Sequence, residues 1–134
     1  MHWMLMPLRR YAQFEGRSRR KEFWMWVLFT SIVSTLFALL GLWGAESRLF
    51  SSEDELMLYF ICTLGLFSVV IFIPNLAVVV RRLHDTDRSG WNILWGFVPL
   101  VGGFILLYFY VLEGTRGPNR FGPDPKGADP GTFA

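Results

Sequence analysis

The chain has 134 residues, of which 52% are hydrophobic and 17% aromatic, and its net charge is +2. The apolar residues are gathered into three long blocks without polar faces, which excludes an ordinary soluble domain. Cys62 is the single cysteine, which excludes an intramolecular disulfide. The sequence predicts an all-α integral membrane protein, one domain over residues 1–134. We expect a small helical bundle of three apolar transmembrane segments, a short N-terminal interfacial helix and a turn-rich C-terminal tail.

The basic N-terminus, residues 1–22, is predicted to lie at a membrane surface. Trp3, Met6, Arg10 and Phe14 recur every three or four residues. A short helix would therefore place aromatic side chains on one side and leave arginine for lipid headgroups. Ser18 is the predicted N-cap of the first long helix.

The first span is predicted over residues 23–43, which cover about 30 Å as an α-helix. Its middle is rich in hydroxyl groups, and Ser31, Ser34 and Thr35 share one helical face. Small residues of this kind let helices approach closely, so we interpret the face first as a packing surface. The alternative use, as part of a transport path, would require a small oligomeric channel or transporter.

The acidic loop 44–55 is predicted to be external, and it leads into a second span over residues 56–80. Ser52 and Glu55 form a capping box that marks the start of this helix. Pro74 should free one backbone carbonyl, which Asn75 or a neighbouring helix would satisfy. Asn75 itself is expected to make an interhelical hydrogen bond.

The charged loop 81–90 is too polar for hydrocarbon and is predicted to be cytoplasmic. If the second helix continues through it, Asp85 can pair with Arg81 or Arg82, which lie four and three residues earlier. His84 adjoins Asp85, but neighbours on a helix point about 100° apart, so adjacency does not imply a general base. No metal-ligand set, cofactor motif or catalytic motif accompanies them, and we predict no enzyme activity, no metal site and no cofactor.

A third apolar block, residues 91–112, starts after a cap at Ser89 or Asp87 and contains Pro99, Gly102 and Gly103. It is either a single kinked span or a re-entrant hairpin. With a cytoplasmic N-terminus, three spans place nine Lys and Arg inside and four outside, whereas a hairpin places twelve inside and one outside. Charge favours the hairpin. The shelter that a hairpin needs within the membrane favours three spans, which is the interpretation we adopt.

The tail, residues 113–134, is rich in Gly and Pro and is predicted to be turn-dense and largely mobile. The clustered arginines are explained by the membrane, so nucleic acid is not an expected partner. None of the three apolar blocks contains an Asp, Glu, Lys, Arg or His, which argues against a coupled carrier.

Three segments of the chain resemble one family. They read G-R-S-R-R-K-E-F-W at residues 16–24, R-R-L-H-D-T-D-R-S-G-W at 81–91 and G-P-N-R-F-G-P-D-P at 117–125. They are similar, in order, to the signature segments of the YhaH/YhaI-like small bacterial inner-membrane proteins, catalogued as domain of unknown function 805. The resemblance implies a membrane protein of bacterial origin and no particular activity. It also implies that Asn119 and Asp124 of the tail could dock onto the arginine cluster.

These observations predict a multi-pass protein of the bacterial inner membrane with a cytoplasmic N-terminus. The expected function is non-enzymatic: an arginine-rich cytoplasmic face contacts anionic lipid headgroups, a membrane protein partner or a second copy of the chain. The candidate binding residues are Arg17, Arg20, Glu22, Arg81, Arg82, His84, Asp85, Arg88 and Trp91, with Asn119 and Asp124 in the tail. A small channel, and then a membrane enzyme using His84 and Asp85, are the alternatives.

Overall fold

The computed structural model of this protein describes residues 2–127, and its regular structure is helical. Helix α1 is His2–Arg9, α2 is Arg20–Glu46, α3 is Glu53–Asp85, a 3-10 helix covers Gly90–Phe97, and α4 is Gly102–Val111. Within the described range, the β-type pairing consists of one isolated bridge between Asn119 and Gly122. The all-α class is confirmed, while residues 128–134 of the predicted tail lie outside the described residues.

Helices α2 and α3 are 27 and 33 residues long, and each contains an apolar block predicted to cross the membrane. About 20 residues of α-helix are enough to cross a hydrocarbon core. Of the most apolar window of α2, 11% is buried within the chain, and of that of α3 none is. Exposed apolar surface on this scale marks a contact with something other than water. By length, composition and exposure, both helices fit membrane spans.

The two long helices run antiparallel and contact each other along their length. The Tyr59 hydroxyl donates to the carbonyl oxygen of Phe37 at 3.0 Å. Farther along the pair, Nε1 of Trp26 donates to Oδ1 of Asn75 at 3.3 Å. The interhelical hydrogen bond expected of Asn75 is therefore confirmed, and it joins α3 to α2.

The hydroxyl face of α2 is not the face that meets α3. Ser31 and Thr35 are exposed, and they line an outer groove of about 330 Å³. The buried core at this interface consists instead of Phe23, Trp26 and Val78. Aromatic and branched side chains bury more apolar area than small hydroxylated ones, which explains the choice of face. Packing through Ser31 and Thr35 remains a prediction for contacts outside the chain.

Pro74 lies inside α3 and removes one backbone hydrogen bond from it. Because proline has no N–H group, the carbonyl four residues earlier, that of Val70, loses its helical donor. The Tyr11 hydroxyl donates to that carbonyl at 2.6 Å. The freed carbonyl was predicted, but its donor comes from the N-terminal segment and not from Asn75.

The predicted N-terminal helix is present as α1, and it packs against α2 and α3. Met6 is buried there. The indole ring of Trp3 faces two cations at the start of α2, with Arg19 Cζ 5.5 Å and Lys21 Nζ 5.8 Å from the ring centroid. Cation–π contacts of this kind tie α1 to the basic end of α2.

One of the two predicted caps of the long helices is confirmed. Ser52 Oγ accepts a hydrogen bond from the backbone N of Glu55 at 3.3 Å, which caps α3. The prediction for Ser18 is wrong, because the N-cap of α2 is Arg19 and its side chain makes no capping bond. Ser18 is buried, and its backbone N donates to the carbonyl of Arg81 at 3.1 Å.

The third apolar block does not form a continuous helix. It begins as the 3-10 helix, capped by Ser89 Oγ, which accepts from the backbone N of Trp91 at 3.4 Å. It ends as α4, which has ten residues and is therefore about 15 Å long, half the thickness of a hydrocarbon core. The single kinked span expected from the sequence is not observed.

The chain reverses between the 3-10 helix and α4. Leu100 has a φ of 67°, a left-handed value that marks the bend. A Cβ built at Gly102 would lie 1.7 Å from the carbonyl oxygen of Trp95, so the two arms approach as closely as glycine allows. The reversal follows from this approach, because any larger residue would push the arms apart.

Both ends of the reversed block lie at the Arg82 end of α3. At its start, a Cβ on Gly90 would lie 2.9 Å from Val80 Cγ1. At its end, the carbonyl of Leu112 accepts a hydrogen bond from Arg82 Nη2. The tail therefore begins at the same end of the helix pair as loop 81–90.

Gly102→Ala is expected to lower the free energy of unfolding by about 1–3 kcal/mol, the usual cost of forcing a methyl group into filled space. The measurement is thermal unfolding of the purified protein in detergent, followed by tryptophan fluorescence. Gly103→Ala is the matched control, because a Cβ there meets nothing within 4 Å. Equal stability of the two variants would contradict the hairpin.

Candidate functional site

The end of α3 carries a buried carboxylate between two arginines. Asp85 Oδ1 accepts from Arg17 Nε at 3.0 Å, and Oδ2 accepts from Arg82 Nη1 at 2.6 Å. The exposed fractions of the Asp85, Arg17 and Arg82 side chains are 6%, 1% and 0%. Because α3 continues through Asp85, the Arg82 pair has the helical spacing predicted from the sequence. We call these three residues the Asp85 network.

The remaining guanidinium donors of the network bind backbone carbonyls. Arg17 donates from Nη1 to Gly117 O at 2.6 Å and from Nη2 to Thr115 O at 2.5 Å. Arg82 donates from Nε to Tyr110 O at 3.1 Å and from Nη2 to Leu112 O. The carbonyls at the end of a helix lack intrahelical donors, so Arg82 supplies the hydrogen bonds that α4 cannot make at its own end.

Arg20 adds to this capping from the start of α2. Its Nη1 donates to the carbonyl of Val111 at 3.1 Å, and its Nη2 lies 3.4 Å from Glu113 Oε1. The last turn of α4 contains no basic residue of its own. Two arginines from other helices therefore interact with the negative end of the α4 dipole.

Gly114 and Thr115 bring the tail against the network, and neither was predicted as a site residue. The backbone N of Thr115 donates to the carbonyl of Asp85 at 2.8 Å. A Cβ at Gly114 would lie 2.1 Å from Asp85 Oδ2, so the tail can approach the carboxylate because this position is glycine. The sequence signals a turn here but does not show which group the turn contacts.

Asn119 docks the tail onto α3, although not onto an arginine. Its Nδ2 donates to the carbonyl of His84 and to Thr115 Oγ1, both at 2.9 Å, and its Oδ1 accepts from the backbone N of Phe121 at 2.9 Å. One amide side chain thus joins two parts of the tail to the end of α3. The predicted mobility of the tail is wrong for this segment, because residues 113–127 are held by such bonds.

Asp124 shapes the tail internally. Its Oδ2 accepts from the backbone N of Gly117 and its Oδ1 from that of Lys126, both at 2.9 Å. These bonds to Lys126 and Gly117, with the nearby charge of Arg17, lower the pKa of Asp124. Its contact with the arginine cluster is electrostatic and not a direct ion pair.

His84 and Asp85 do not form a pair. His84 Nδ1 lies 3.3 Å from the carbonyl oxygen of Gly16, and the ring stacks on Phe121 with centroids 3.9 Å apart. Burial lowers the pKa of His84, the bond to Gly16 opposes this, and the charge of Arg120 lowers it further. The oriented His–Asp couple that a membrane enzyme would need is not formed, since the Asp85 oxygens hold arginines.

Arg81 pairs with Glu22 and not with Asp85. Arg81 Nη2 lies 3.1 Å from Glu22 Oε1, and the exposed fractions of the two side chains are 0% and 3%. Burial lowers the pKa of Arg81, and the charge of Glu22 opposes that shift. The backbone N of Ser18 donates to the carbonyl of Arg81, so this second pair lies next to the segment that carries Arg17. Two buried ion pairs therefore join α2 and the segment before it to α3.

Arg88 and Trp91 lie apart from both pairs, Arg88 in the turn after α3 and Trp91 in the 3-10 helix. Arg88 Cζ is 4.1 Å from the ring centroid of Phe109 in α4, and Trp91 is exposed. The structure therefore brings together seven of the nine predicted binding residues: Arg17, Arg20, Glu22, Arg81, Arg82, His84 and Asp85. Among residues 2–127, no group of three or more His, Cys, Asp or Glu side chains is placed to hold a metal ion.

A cleft of about 380 Å³ opens beside the Asp85 network, between the start of α2 and the tail. Its lining includes six basic residues, Arg17, Arg19, Arg20, Lys21, Arg116 and Lys126, and two acidic residues, Asp85 and Asp124. No pattern in the sequence predicts that Arg116 and Lys126 line the same cleft as Lys21, because their position depends on how the tail folds.

Comparisons with known proteins identify relatives over most of the chain. The family described as "Protein of unknown function (DUF805)" matches residues 11–123. The chain is 45% identical to "Inner membrane protein YhaI" of Escherichia coli (strain K12) over 128 residues, which are 94% of this chain and 97% of that protein. It is 41% identical to "Inner membrane protein YhaH" of the same strain over 133 residues, covering 94% and 98% of the two chains. No solved structure matches.

Asp85→Asn is expected to lower the free energy of unfolding by about 3–5 kcal/mol, because it leaves two buried guanidinium groups without a counter-charge. Chemical unfolding in detergent measures the loss. Asp87→Asn is the matched control, since its pair with Arg120 is exposed, at 46% and 62%. Such pairs contribute about 1 kcal/mol or less. A loss of similar size in both variants would show that the network is not the stabilising element.

The neutral form of His84 is expected to stabilise the docked tail. Since its pKa is lowered in the folded protein, the stabilisation is complete above about pH 6.5, the unfolded value, and is lost as the pH falls below it. Unfolding measured from pH 8 to pH 5.5 should show that wild type loses stability more steeply than His84→Gln as the pH falls. Parallel pH profiles of the two proteins would contradict the assignment.

Proposed function

This chain belongs to the DUF805 family, and we propose that it is a non-enzymatic protein of the bacterial inner membrane whose two long apolar helices cross the membrane. The crossings are the apolar parts of α2 and α3. At one end they carry a polar cap, which we define as residues 10–22, 81–90 and 113–127. The names of YhaI and YhaH support the inner membrane as its location.

The charge of the polar cap supports a cytoplasmic position for it. With both chain ends and loop 81–90 inside, twelve of the thirteen Lys and Arg residues are cytoplasmic and Arg48 alone is external. Excess Lys and Arg on the cytoplasmic side is the usual orientation of membrane proteins. The acidic loop between α2 and α3 then faces outward.

The hairpin formed by the 3-10 helix and α4 enters the membrane from the cytoplasmic side without crossing the bilayer. Its bend carries large exposed apolar side chains, Phe97 at 85%, Leu100 at 91% and Phe104 at 75%. Both of its ends are tied to the cap, and α4 is long enough to reach about the middle of the bilayer. Close contact of the first arm with α3 gives part of the shelter that its backbone requires.

The function we propose for the cap is contact with anionic lipid headgroups. The observation that carries it is the basic cleft, in which six basic residues face two acidic ones. A cytoplasmic leaflet carries negative surface charge and attracts such a surface. Arg17, Arg81 and Arg82 cannot supply the contact, because they are buried. The outer basic residues supply it, and the predicted arginine-rich face is revised accordingly.

The proposal is tested by the side on which the tail lies. A single cysteine at Ala128, in a Cys62→Ser background, should be protected from a membrane-impermeant thiol reagent in intact cells and should react after lysis. A single cysteine at Ser51, in the loop between α2 and α3, is the control and should react in intact cells. Reaction of the Ala128 position from outside would separate the tail from the cytoplasmic leaflet and overturn the proposed function.

A further inference from the structure

The cleft beside the Asp85 network holds more positive charge than the chain itself neutralises. Of the two carboxylates that line it, Asp85 is bound by two arginines and Asp124 by two backbone N–H groups. Asp85 is therefore already paired, and the single charge of Asp124, which acts on Arg17 and Lys126, cannot also balance Arg20, Lys21 and Arg116.

The nearest remaining carboxylate, Glu113, is shared by two cations. Arg20 Nη2 lies 3.4 Å and Lys126 Nζ 2.5 Å from the same oxygen, Oε1. All three side chains are about half exposed, at 44%, 56% and 52% for Arg20, Lys126 and Glu113. One carboxylate cannot neutralise two cations, and Lys21 and Arg116 add two more at the same opening. An anion with several acceptor oxygens would complete this arrangement.

The position of the cleft along α2 indicates where that anion comes from. Lys21 lines the cleft, and the apolar part of the helix begins two residues later at Phe23. Trp24 is exposed at this level, where tryptophan commonly marks the membrane interface. The phosphate groups of a lipid leaflet lie just outside its hydrocarbon, so they would be at the depth of the cleft.

We propose that this cleft binds the phosphate group of an anionic phospholipid headgroup. The inference rests on the proposed function, because it makes a defined site out of the general contact between the cap and anionic lipid. A volume of about 380 Å³ suits a headgroup and not a whole lipid, whose acyl chains would remain in the bilayer beside α2. A guanidinium group can donate two parallel hydrogen bonds to the oxygens of phosphate, and Arg116 supplies one from the tail, while Lys21 adds an ammonium group from the start of α2.

The test is native mass spectrometry of the full-length protein in detergent, titrated with phosphatidylglycerol or with phosphatidylcholine. The cleft variant combines Lys21→Gln with Arg116→Gln, two exposed residues whose replacement leaves the Asp85 network intact. The control variant combines Arg9→Gln with Arg120→Gln, two exposed basic residues that do not line the cleft. Both variants lose two positive charges, and unfolding in detergent confirms that both are folded.

Wild type should bind phosphatidylglycerol about tenfold or more tightly than phosphatidylcholine, and the cleft variant should lose about that factor. The control should stay within about twofold of wild type. Lys21→Arg with Arg116→Lys, which keeps both charges, should restore most of the binding. The second arm is calorimetry with inorganic phosphate. If the cleft variant alone no longer binds phosphate while its lipid binding is unchanged, the ligand of the cleft is free phosphate from solution, and the lipid proposal is overturned.

Equal losses in the cleft and control variants would overturn the site and leave the proposed function standing, because the contact would then be spread over the surface. No preference of wild type for phosphatidylglycerol would overturn both. Unchanged binding of both lipid and phosphate in the cleft variant would overturn the site alone.

Discussion

The Asp85 carboxylate is the group on which the arrangement of the polar cap depends. It holds Arg17 and Arg82 at 3.0 and 2.6 Å, and those arginines in turn bind carbonyls of α4 and the tail. A guanidinium group away from water requires both a counter-charge and acceptors for its remaining N–H groups. Asp85 supplies the counter-charge, and backbone carbonyls of α4 and the tail supply the acceptors. Docking of the tail and burial of the charge therefore occur together.

The same condition explains why the third apolar block turns back. A helix that crossed the membrane would place its final carbonyls on the far side, where loop 44–55 offers one arginine, Arg48. A helix that returns presents Tyr110, Val111 and Leu112 to Arg82 and Arg20. Because the positive groups meet the negative end of α4, the hairpin satisfies carbonyls and arginines with one set of bonds.

The sequence predicts the helices of this fold better than the contacts between them. Apolar blocks longer than a hydrocarbon core are enough to place α2 and α3, and local spacing is enough to identify the Ser52 cap and the pair of Arg82 with Asp85. The third block has the right length for a span and also for a hairpin, so composition cannot choose between them. The hairpin depends on the close contact between Gly102 and Trp95, which the sequence does not predict because it forms only in the folded chain.

Burial of the arginines was beyond sequence reasoning for a related reason. Arg17 and Asp85 are 68 residues apart, and the carbonyls that bind Arg17 are about 100 residues from it. Backbone carbonyls carry no sequence signature, so a chain rich in Arg looks like a charged surface until its acceptors are located. Glycine and proline predict turns without specifying what the turns contact, so the sequence alone predicts a mobile tail.

The basic residues of the cap thus include an inner set and an outer set, with different consequences for function. Arg17, Arg81 and Arg82 are interior, and each is matched to a carboxylate, so their charge is used in holding the cap together. Lys21 and Arg116 are at the surface, where their charge remains available to a ligand. Replacing an interior arginine would leave a buried carboxylate without its partner, and the resulting unfolding would look the same as a loss of lipid contact. The proposed lipid contact is therefore separable from folding at the outer set alone, because those side chains can change without leaving a buried charge behind.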